Sequence, residues 1–216
     1  MVVRSALRHA AFKPALGMLL LAPLAYLVWG AAMDALGPNP AETLIRSTGE
    51  LALRGLCLAL AVTPLRVMTG WPEWARLRRM LGLIAFTYAV LHLLCYGWLD
   101  MGFEWGEIAR DIAKRPFILV GMLTFVILLA LALTSFNAAI RRLGARKWQL
   151  LHRGVYAAAG LAVLHFFWMR AGKNNFGDVA VYGGILSALL GWRVWRFYTN
   201  RSNSKVSNAD SRSRIR

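Results

Sequence analysis

An uncharged run of 25 residues lies between Arg115 and Arg141 and reads PFILVGMLTFVILLALALTSFNAAI, residues 116–140. The hydrocarbon core of a bilayer is about 30 Å thick, and about 20 helical residues cross it. This run is therefore long enough and apolar enough to cross a membrane as a single helix. It predicts that the chain is an integral membrane protein.

Further apolar runs lie on both sides of this one. Two of them have 20 residues each (14–33 and 80–99), and two are shorter (154–169 and 179–192). Arginines at the ends of the shorter runs can extend their charged groups to the membrane surface. A further apolar segment, 51–68, contains two charged residues, Arg54 and Arg66, one near each end. We predict six transmembrane helices, which in chain order are 14–33, 51–68, 80–99, 116–134, 148–169 and 178–197.

The composition agrees with a membrane protein. Hydrophobic residues make up 58% of the chain and charged residues 17%, whereas soluble domains are about 45–50% apolar and about 25% charged. A chain this rich in apolar residues is not disordered, and a soluble domain of this size could not bury them all. The net charge of +16 could suit nucleic acid, but the basic residues lie between the apolar runs, which argues against that function.

The basic residues also predict the orientation of the chain. With six helices, 19 of the 26 Lys and Arg residues lie in or beside the N-terminal segment, the second and fourth loops and the C-terminal tail. Basic segments stay in the cytoplasm. The predicted fold is therefore all-α, an integral membrane bundle of six transmembrane helices with both termini cytoplasmic. Residues 1–200 form this domain, and residues 201–216 are predicted to be a disordered basic cytoplasmic tail.

The candidate functional residues are histidines inside the predicted helices, where an ionisable side chain is costly and indicates a function. His92 lies 13 residues beyond Arg79, and His165 lies 13 residues beyond His152, on two helices that run in the same direction. At 1.5 Å per residue, the imidazoles of His92 and His165 lie ~20 Å from the cytoplasmic edge. They are therefore level with each other in the outer half of the membrane.

Small residues share the helix faces of these two histidines. They are Ala85 and Ala89 before His92, and Gly154, Ala158 and Ala162 before His165. Two such faces leave room for a flat cofactor, and a b-type haem with two axial imidazoles fits between them. The spacing alone leaves two alternatives open, namely histidines that hydrogen-bond between helices and histidines that form a proton path.

His152 differs from the other two histidines because it lies at the cytoplasmic end of its helix, level with Arg78 and Arg79. The third predicted helix has no histidine at that depth. Three interpretations follow: an interfacial histidine among arginines, a ligand to a second haem with an unusual partner, or a group at a quinone or flavin site. His9, in the basic N-terminal segment, is expected to be solvated and to have no role.

Several short motifs resemble the ferric-reductase-like transmembrane family, and within it the haem-binding membrane subunits of bacterial periplasmic methionine sulfoxide reductase systems. In chain order the motifs are LGPNP (36–40), TPLR (63–66), TGW (69–71), RRMLGL (78–83), YA (88–89), LH (91–92), KRP (114–116), RRLG (141–144), Trp148, LHR (151–153), VY (155–156), LHF (164–166) and Trp168. They extend over almost the whole predicted bundle.

The resemblance implies a cytochrome b of the bacterial inner membrane that passes electrons outward. Such a subunit takes electrons from the quinone pool or from a cytoplasmic flavin reductase. It gives them to MsrP, a soluble molybdenum-containing periplasmic subunit that reduces methionine sulfoxide in oxidised proteins, so sulfoxide reduction itself is expected on the partner. FMN is a further cofactor associated with the family. The family's haem-ligand histidines correspond to His92 and His165, with His152 as the third.

Two other functions stay open at this point. A metal-ion reductase of the same fold would reduce ferric chelates, and a haem-free transporter or proton channel would use His92 and His165 as a relay. A visible spectrum of the purified protein would distinguish the haem-free transporter from the other two. Reoxidation of the haem by the periplasmic partner would distinguish a protein electron donor from a metal-ion reductase.

Overall fold

A computed structural model describes residues 2–171 and 176–213, with side chains described for 4–171 and 176–199. In these ranges the α-helices are α1 (Val2–Arg8), α2 (Phe12–Ala32), α3 (Pro40–Thr69), α4 (Arg78–Cys95), α5 (Trp105–Lys114), α6 (Pro116–Leu133), α7 (Asn137–His152), α8 (Gly154–Ala171) and α9 (Gly177–Ser213). A 3₁₀-helix, Pro72–Leu77, precedes α4, and a π-helical segment, Tyr96–Asp100, follows it. The described residues form no strand, which confirms the predicted all-α class.

Five segments of the described chain are long and apolar enough to cross a membrane, judged by length and composition. They are Phe12–Ala32, Pro40–Thr69, Pro72–Asp100, Pro116–Leu133 and Asn137–Ala171. They coincide with the first five predicted spans, so the protein is a multi-pass membrane protein. The sixth predicted span, 178–197, lies within α9, which is not among the five. The count of six and the cytoplasmic position of both termini stay predictions.

Local capping explains why α3 begins 11 residues before the predicted span 51–68. The side chain of Asn39 accepts a hydrogen bond from the backbone N–H of Glu42 at 3.1 Å, and Pro40 occupies the first turn, where its missing N–H costs nothing. The helix ends before Gly70, whose φ of 69° is readily adopted by glycine. The first part of α3, residues 40–50, is therefore a polar extension that precedes the apolar run.

The predicted fifth span, 148–169, includes parts of two helices. It contains the last residues of α7 and most of α8, which are separated by a turn at Arg153. Within α7, Gly144 adopts φ 73° and ψ 155° and kinks the helix. This kink separates the first part of α7, which contains the basic residue Arg141, from the part that contains His152.

The interior of the bundle is formed by two packed helix pairs, α3 with α4 and α6 with α8, and α4 also contacts α6. The backbones of α3 and α4 approach closely at Gly55, where a Cβ would lie 3.0 Å from Cα of Ala85. Buried side chains of α3, α8 and α9 meet in one apolar cluster that includes Leu60, Phe166 and Leu186. This packing fixes α4 and α8, the helices that contain His92 and His165.

Large apolar side chains are exposed on the outside of the bundle, as expected for a surface that faces lipid. Met18 is 69% exposed and Val126 is 56% exposed. At the other end of the chain, α9 extends to Ser213 and so covers much of the region 201–216, for which the sequence predicts disorder. The assignment of that region as a separate tail stays a prediction.

Candidate functional site

His92 and His165 face each other across the bundle. His92 lies in the last turn of α4 and His165 in the second half of α8. Their ring centroids are 6.2 Å apart and their planes are inclined by 77°. Because an imidazole nitrogen lies about 2 Å from a bound metal, two imidazoles on one iron have ring centres about 6 Å apart. The structure thus brings together the two predicted ligands at a spacing that suits one iron, and their role as ligands stays a prediction.

Both histidines use the same ring nitrogen to contact the backbone of a neighbouring helix. Nδ1 of His92 lies 2.8 Å from the carbonyl oxygen of Ile45 on α3, and Nδ1 of His165 lies 2.6 Å from the carbonyl oxygen of Phe117 on α6. A carbonyl oxygen only accepts hydrogen bonds, so each Nδ1 is the protonated donor. This leaves Nε2 of each ring as the nitrogen that can bind a metal.

Glycines lie directly against both imidazoles. A Cβ at Gly49 would lie 3.0 Å from Nδ1 of His92, and a Cβ at Gly121 would lie 2.9 Å from Nδ1 of His165. These two glycines were missed by the sequence analysis, which considered only small residues on the histidines' own helices. Gly121 lies within the apolar run of a neighbouring predicted helix, 116–134, whereas Gly49 lies just before the predicted span 51–68. Either glycine can be recognised only when its packing partner is known.

Two of the small residues predicted on the faces of α4 and α8, Ala85 and Ala158, serve helix packing. Ala85 is 1% exposed and packs against α3 at Gly55. Ala158 and Ala159 are fully buried. The predicted role of Ala85, making room for a cofactor beside His92, is therefore wrong, because α3 closes that face.

His152 lies at the opposite end of the bundle and lines a separate cavity of about 230 Å³. Its ring stacks on the indole of Trp148, with centroids 3.9 Å apart, and its Nδ1 lies 3.1 Å from the Trp148 carbonyl oxygen. Among the described residues, its Nε2 is buried and has no hydrogen-bond partner. Arg78 and Arg79 line the same cavity, so the three predicted inner residues are brought together.

A further arginine adds positive charge near this end. Arg193 of α9 donates a hydrogen bond to the Leu60 carbonyl oxygen at 2.7 Å, and its guanidinium lies 4.9 Å from the centre of the Tyr156 ring. Its Nε and Nη1 atoms are buried and find no partner within the described part of the chain. Buried donors of this kind favour an anionic group nearby.

The fold and the two facing histidines define a class, that of multi-pass helical membrane proteins with a paired-histidine site between helices. The family model described as ferric reductase like transmembrane component matches residues 48–163, which is more than half of the chain and includes His92 and His152. The chain belongs to this family and, within it, groups with the MsrQ subunits that the following relatives represent.

Three such relatives are named protein-methionine-sulfoxide reductase heme-binding subunit MsrQ. The protein of Polaromonas naphthalenivorans is 60% identical over 202 residues, which cover 94% of this chain and 92% of the relative. That of Ralstonia nicotianae is 48% identical and covers 86% of this chain and 85% of its own length. That of Azospira oryzae is 50% identical, with 86% and 79% covered.

Proposed function

We propose that this protein is a b-type haem electron-transfer subunit of the bacterial inner membrane. It passes electrons from the quinone pool, or from a cytoplasmic flavin reductase, to the periplasmic molybdenum-containing methionine sulfoxide reductase MsrP, which repairs oxidised proteins. The observation that supports this most directly is the pair of imidazoles 6.2 Å apart. The names of the relatives support both haem binding and the methionine sulfoxide reductase system.

His92 and His165 hold the haem in this proposal through their Nε2 atoms. Both side chains would bind it as neutral imidazoles, which would suit a group that passes electrons on rather than one that binds substrate. Haem supplies a centre that accepts and releases one electron at a time. The protein contributes the tautomer of each histidine through the carbonyl groups of Ile45 and Phe117.

The cavity beside His152 is the proposed entry site for electrons. Arg78 and Arg79 line it and supply donors that suit a quinone oxygen or the phosphate of FMN. Nε2 of His152 has no partner among the described residues. Because Nδ1 donates to the Trp148 carbonyl oxygen, Nε2 of the neutral ring is an acceptor, which suits the hydroxyl group of a quinol. The same residues would also suit the propionates of a second haem with His152 as its ligand. Reduction of one sulfoxide on the partner consumes two electrons and two protons and releases water, so the protein must deliver two single electrons for each turnover.

Replacement of single histidines tests the haem site. His92→Ala or His165→Ala is expected to abolish or grossly distort the low-spin b-type spectrum and to stop electron transfer to the partner, because each change removes one of two protein bonds to the iron. His152→Ala should leave that spectrum largely intact, while it slows reduction from the donor side or removes a second haem. His9→Ala is the control, since His9 is exposed.

Reduced-minus-oxidised spectra, with haem quantified per chain, measure these effects. A normal low-spin spectrum in His92→Ala, together with loss of all haem in His152→Ala, would contradict the pairing. Addition of oxidised periplasmic partner to the reduced protein should then reoxidise its haem. Reoxidation by ferric chelates but not by the partner would instead favour the metal-ion reductase, and a purified chain without any haem would favour the histidine relay.

A further inference from the structure

The surroundings of His92 and His165 repeat one local arrangement on two different helices. On α3, the carbonyl group of Ile45 binds Nδ1 of His92, and Gly49 follows four residues later. On α6, the carbonyl group of Phe117 binds Nδ1 of His165, and Gly121 follows four residues later. Residues four apart lie one above the other on one helix face. Each imidazole therefore rests on a glycine and bonds to the carbonyl one turn away.

A side chain at either glycine would prevent this contact. A Cβ at Gly49 would lie 3.0 Å from Nδ1 and 3.1 Å from Cε1 of His92. A Cβ at Gly121 would lie 2.9 Å from both Nδ1 and Cε1 of His165. These separations are shorter than an ordinary carbon contact of about 3.5–4.0 Å. The affected ring would have to tilt or slide, and its hydrogen bond to the carbonyl would lengthen.

We propose that Gly49 and Gly121 are positioning residues for the two haem ligands, an inference that rests on the proposed function. By admitting each ring onto the helix backbone, they fix the Nδ1–H tautomer and hold the two imidazole planes 77° apart. Outer contacts of this kind set the orientation and basicity of a ligating histidine. The two glycines thereby set the electronic state of the iron without touching it.

The angle between axial imidazole planes has a spectroscopic signature. Nearly perpendicular planes leave two of the iron d orbitals close in energy, and the low-spin ferric haem then shows an electron paramagnetic resonance spectrum with an unusually large maximum g value. Parallel planes separate these orbitals and give a smaller maximum g value. The unmodified protein is therefore expected to show the large-g signal, and a spectrum typical of parallel imidazoles would overturn the proposal without any variant.

Gly49→Ala and Gly121→Ala test the role of each glycine in the purified haem-loaded protein. Each variant is expected to keep a low-spin spectrum with two imidazole ligands, while its maximum g value decreases and its midpoint potential shifts. Gly55→Ala is the matched control for the α3–α4 contact, because its Cβ would meet Ala85 and no histidine. It should lose thermal stability but keep the g value. Gly160→Ala on α8, where a Cβ meets open space, should match the unmodified protein in both.

The outcomes separate this inference from the haem-ligand proposal. Unchanged g values and potentials in both glycine variants, or an equal change in Gly55→Ala, would overturn the positioning role even if His92→Ala and His165→Ala lose the low-spin spectrum. An intact low-spin spectrum in either histidine variant would overturn the ligand assignment itself. If one glycine variant binds no haem, the other glycine variant decides together with the unmodified protein. An unchanged g value in the haem-loaded glycine variant, or a small maximum g value in the unmodified protein, would overturn the positioning role.

Discussion

Arg170 keeps a buried charge at the end of α8, where its side chain is only 3% exposed. Its Nη2 donates to Glu50 of α3 at 3.0 Å and to Asp178 of α9 at 3.1 Å, and its guanidinium lies 5.3 Å from the centre of the Phe166 ring. This residue therefore links three helices through charge-assisted hydrogen bonds. Removal of Glu50 would leave the buried guanidinium with a half-exposed carboxylate as its ionic partner.

We predict that Glu50→Ala lowers the free energy of unfolding by roughly 3 kcal/mol, the lower end for a broken buried ion pair. Glu107→Ala is the control, because Glu107 and its partner Arg110 are both exposed and such pairs contribute about 0–1 kcal/mol. Circular dichroism during thermal unfolding of the purified protein measures both. Equal destabilisation by the two changes would mean that the Arg170 cluster does not stabilise the helix packing.

The sequence predicts the histidines of the site but not their backbone partners. The depth of His92 and His165 follows from counting residues between charges, because each helix rises by a fixed amount per residue. The hydrogen-bond acceptors at Ile45 and Phe117 are carbonyl groups, which every residue has, so no residue type distinguishes them. Only the packing of α3 on α4 and of α6 on α8 identifies them.

At the scale of elements, the N-terminal helix α1 is held against the bundle by one acidic side chain. Nε of Arg8 lies 2.6 Å and Nε of Arg4 lies 3.3 Å from Oε1 of Glu73. Leu7 of the same helix is 5% exposed in an apolar cluster that includes Leu81. Glu73 lies before the uncharged run 80–99, and thus outside the membrane-spanning part of its segment.

Hydrogen bonds from its own backbone N–H and from Arg8 lower the pKa of Glu73 to about 2, compared with about 4.3 in an unfolded chain. A lowered pKa means that the contact stabilises the folded state fully above the unfolded value and is lost as the pH falls towards the folded value. We therefore predict that α1 stays attached between pH 7 and pH 5 and detaches as the pH approaches about 2.

A nitroxide label at Ser5→Cys, in a background with Cys57→Ala and Cys95→Ala, reports the mobility of α1. Glu73→Gln should make the label mobile already at neutral pH, because the neutral amide cannot pair with the two arginines. Lys13→Gln is the control, since the described structure shows no ion pair for Lys13. A label that stays immobile in Glu73→Gln would show that apolar contacts of Leu7 alone hold the helix.

We predict that the outer loops 100–115 and 171–177 dock the periplasmic partner, and the first of them contains a structured element, α5. Tyr96 donates to Asp111 at 2.8 Å, and Arg115 pairs with Asp111 at 3.0 Å, so this carboxylate attaches α5 to the end of α4. Asp100, Glu104 and Glu107 are exposed instead. The basic residues of these outer loops that could bind haem propionates are Arg110, Lys114, Arg115 and Lys173. Arg110 and Arg115 are paired with acids, and Lys173 lies outside the described residues.

We predict that neutralising Asp100, Glu104 and Glu107 together slows partner-dependent turnover roughly tenfold at low salt, because surface charge accelerates encounter between proteins. The difference should disappear at high salt, where screening removes it. Asp34→Asn is the control, an exposed outer-loop carboxylate whose left-handed backbone (φ 53°) asparagine tolerates. Stopped-flow reoxidation of the haem provides the rate, and an unchanged rate at low salt would exclude this surface.

Hydropathy predicts the five apolar segments well because their positions depend on composition alone. It does not predict α5, the kink at Gly144 or the polar start of α3, since these depend on capping, on backbone angles and on contacts with other helices. The π-helical segment after Cys95 likewise has no hydropathy signal. The largest difference between the predicted spans and the structure concerns α9. It is helical, but it is not among the described segments that are long and apolar enough to cross a membrane.

At the scale of the whole molecule, contacts along α9 support a sixth crossing. Arg170 bridges Glu50 of α3 to Asp178 of α9. Further along, Arg54 donates to the hydroxyl of Tyr182 at 2.7 Å, and Arg193 donates to the carbonyl of Leu60. Both helices advance in the same direction through these contacts, so α9 runs parallel to α3 across its apolar part. Since α3 is long and apolar enough to span, a helix packed along it in parallel is expected to cross as well.

Reporter fusions test this topology, because five and six crossings place the C-terminus on opposite sides of the membrane. With six crossings, 19 of the 26 basic residues lie in or beside cytoplasmic segments, in agreement with the rule that basic segments stay in the cytoplasm. With five crossings, the arginines of the C-terminal region would lie outside the cytoplasm. We therefore predict that a reporter after Asn200 gives a cytoplasmic signal and that one inserted within 101–110 gives a periplasmic signal. Removal of the basic residues within 141–147 of α7 is the control that orientation responds to charge. Equal signals from the two reporter positions would overturn the six-helix topology.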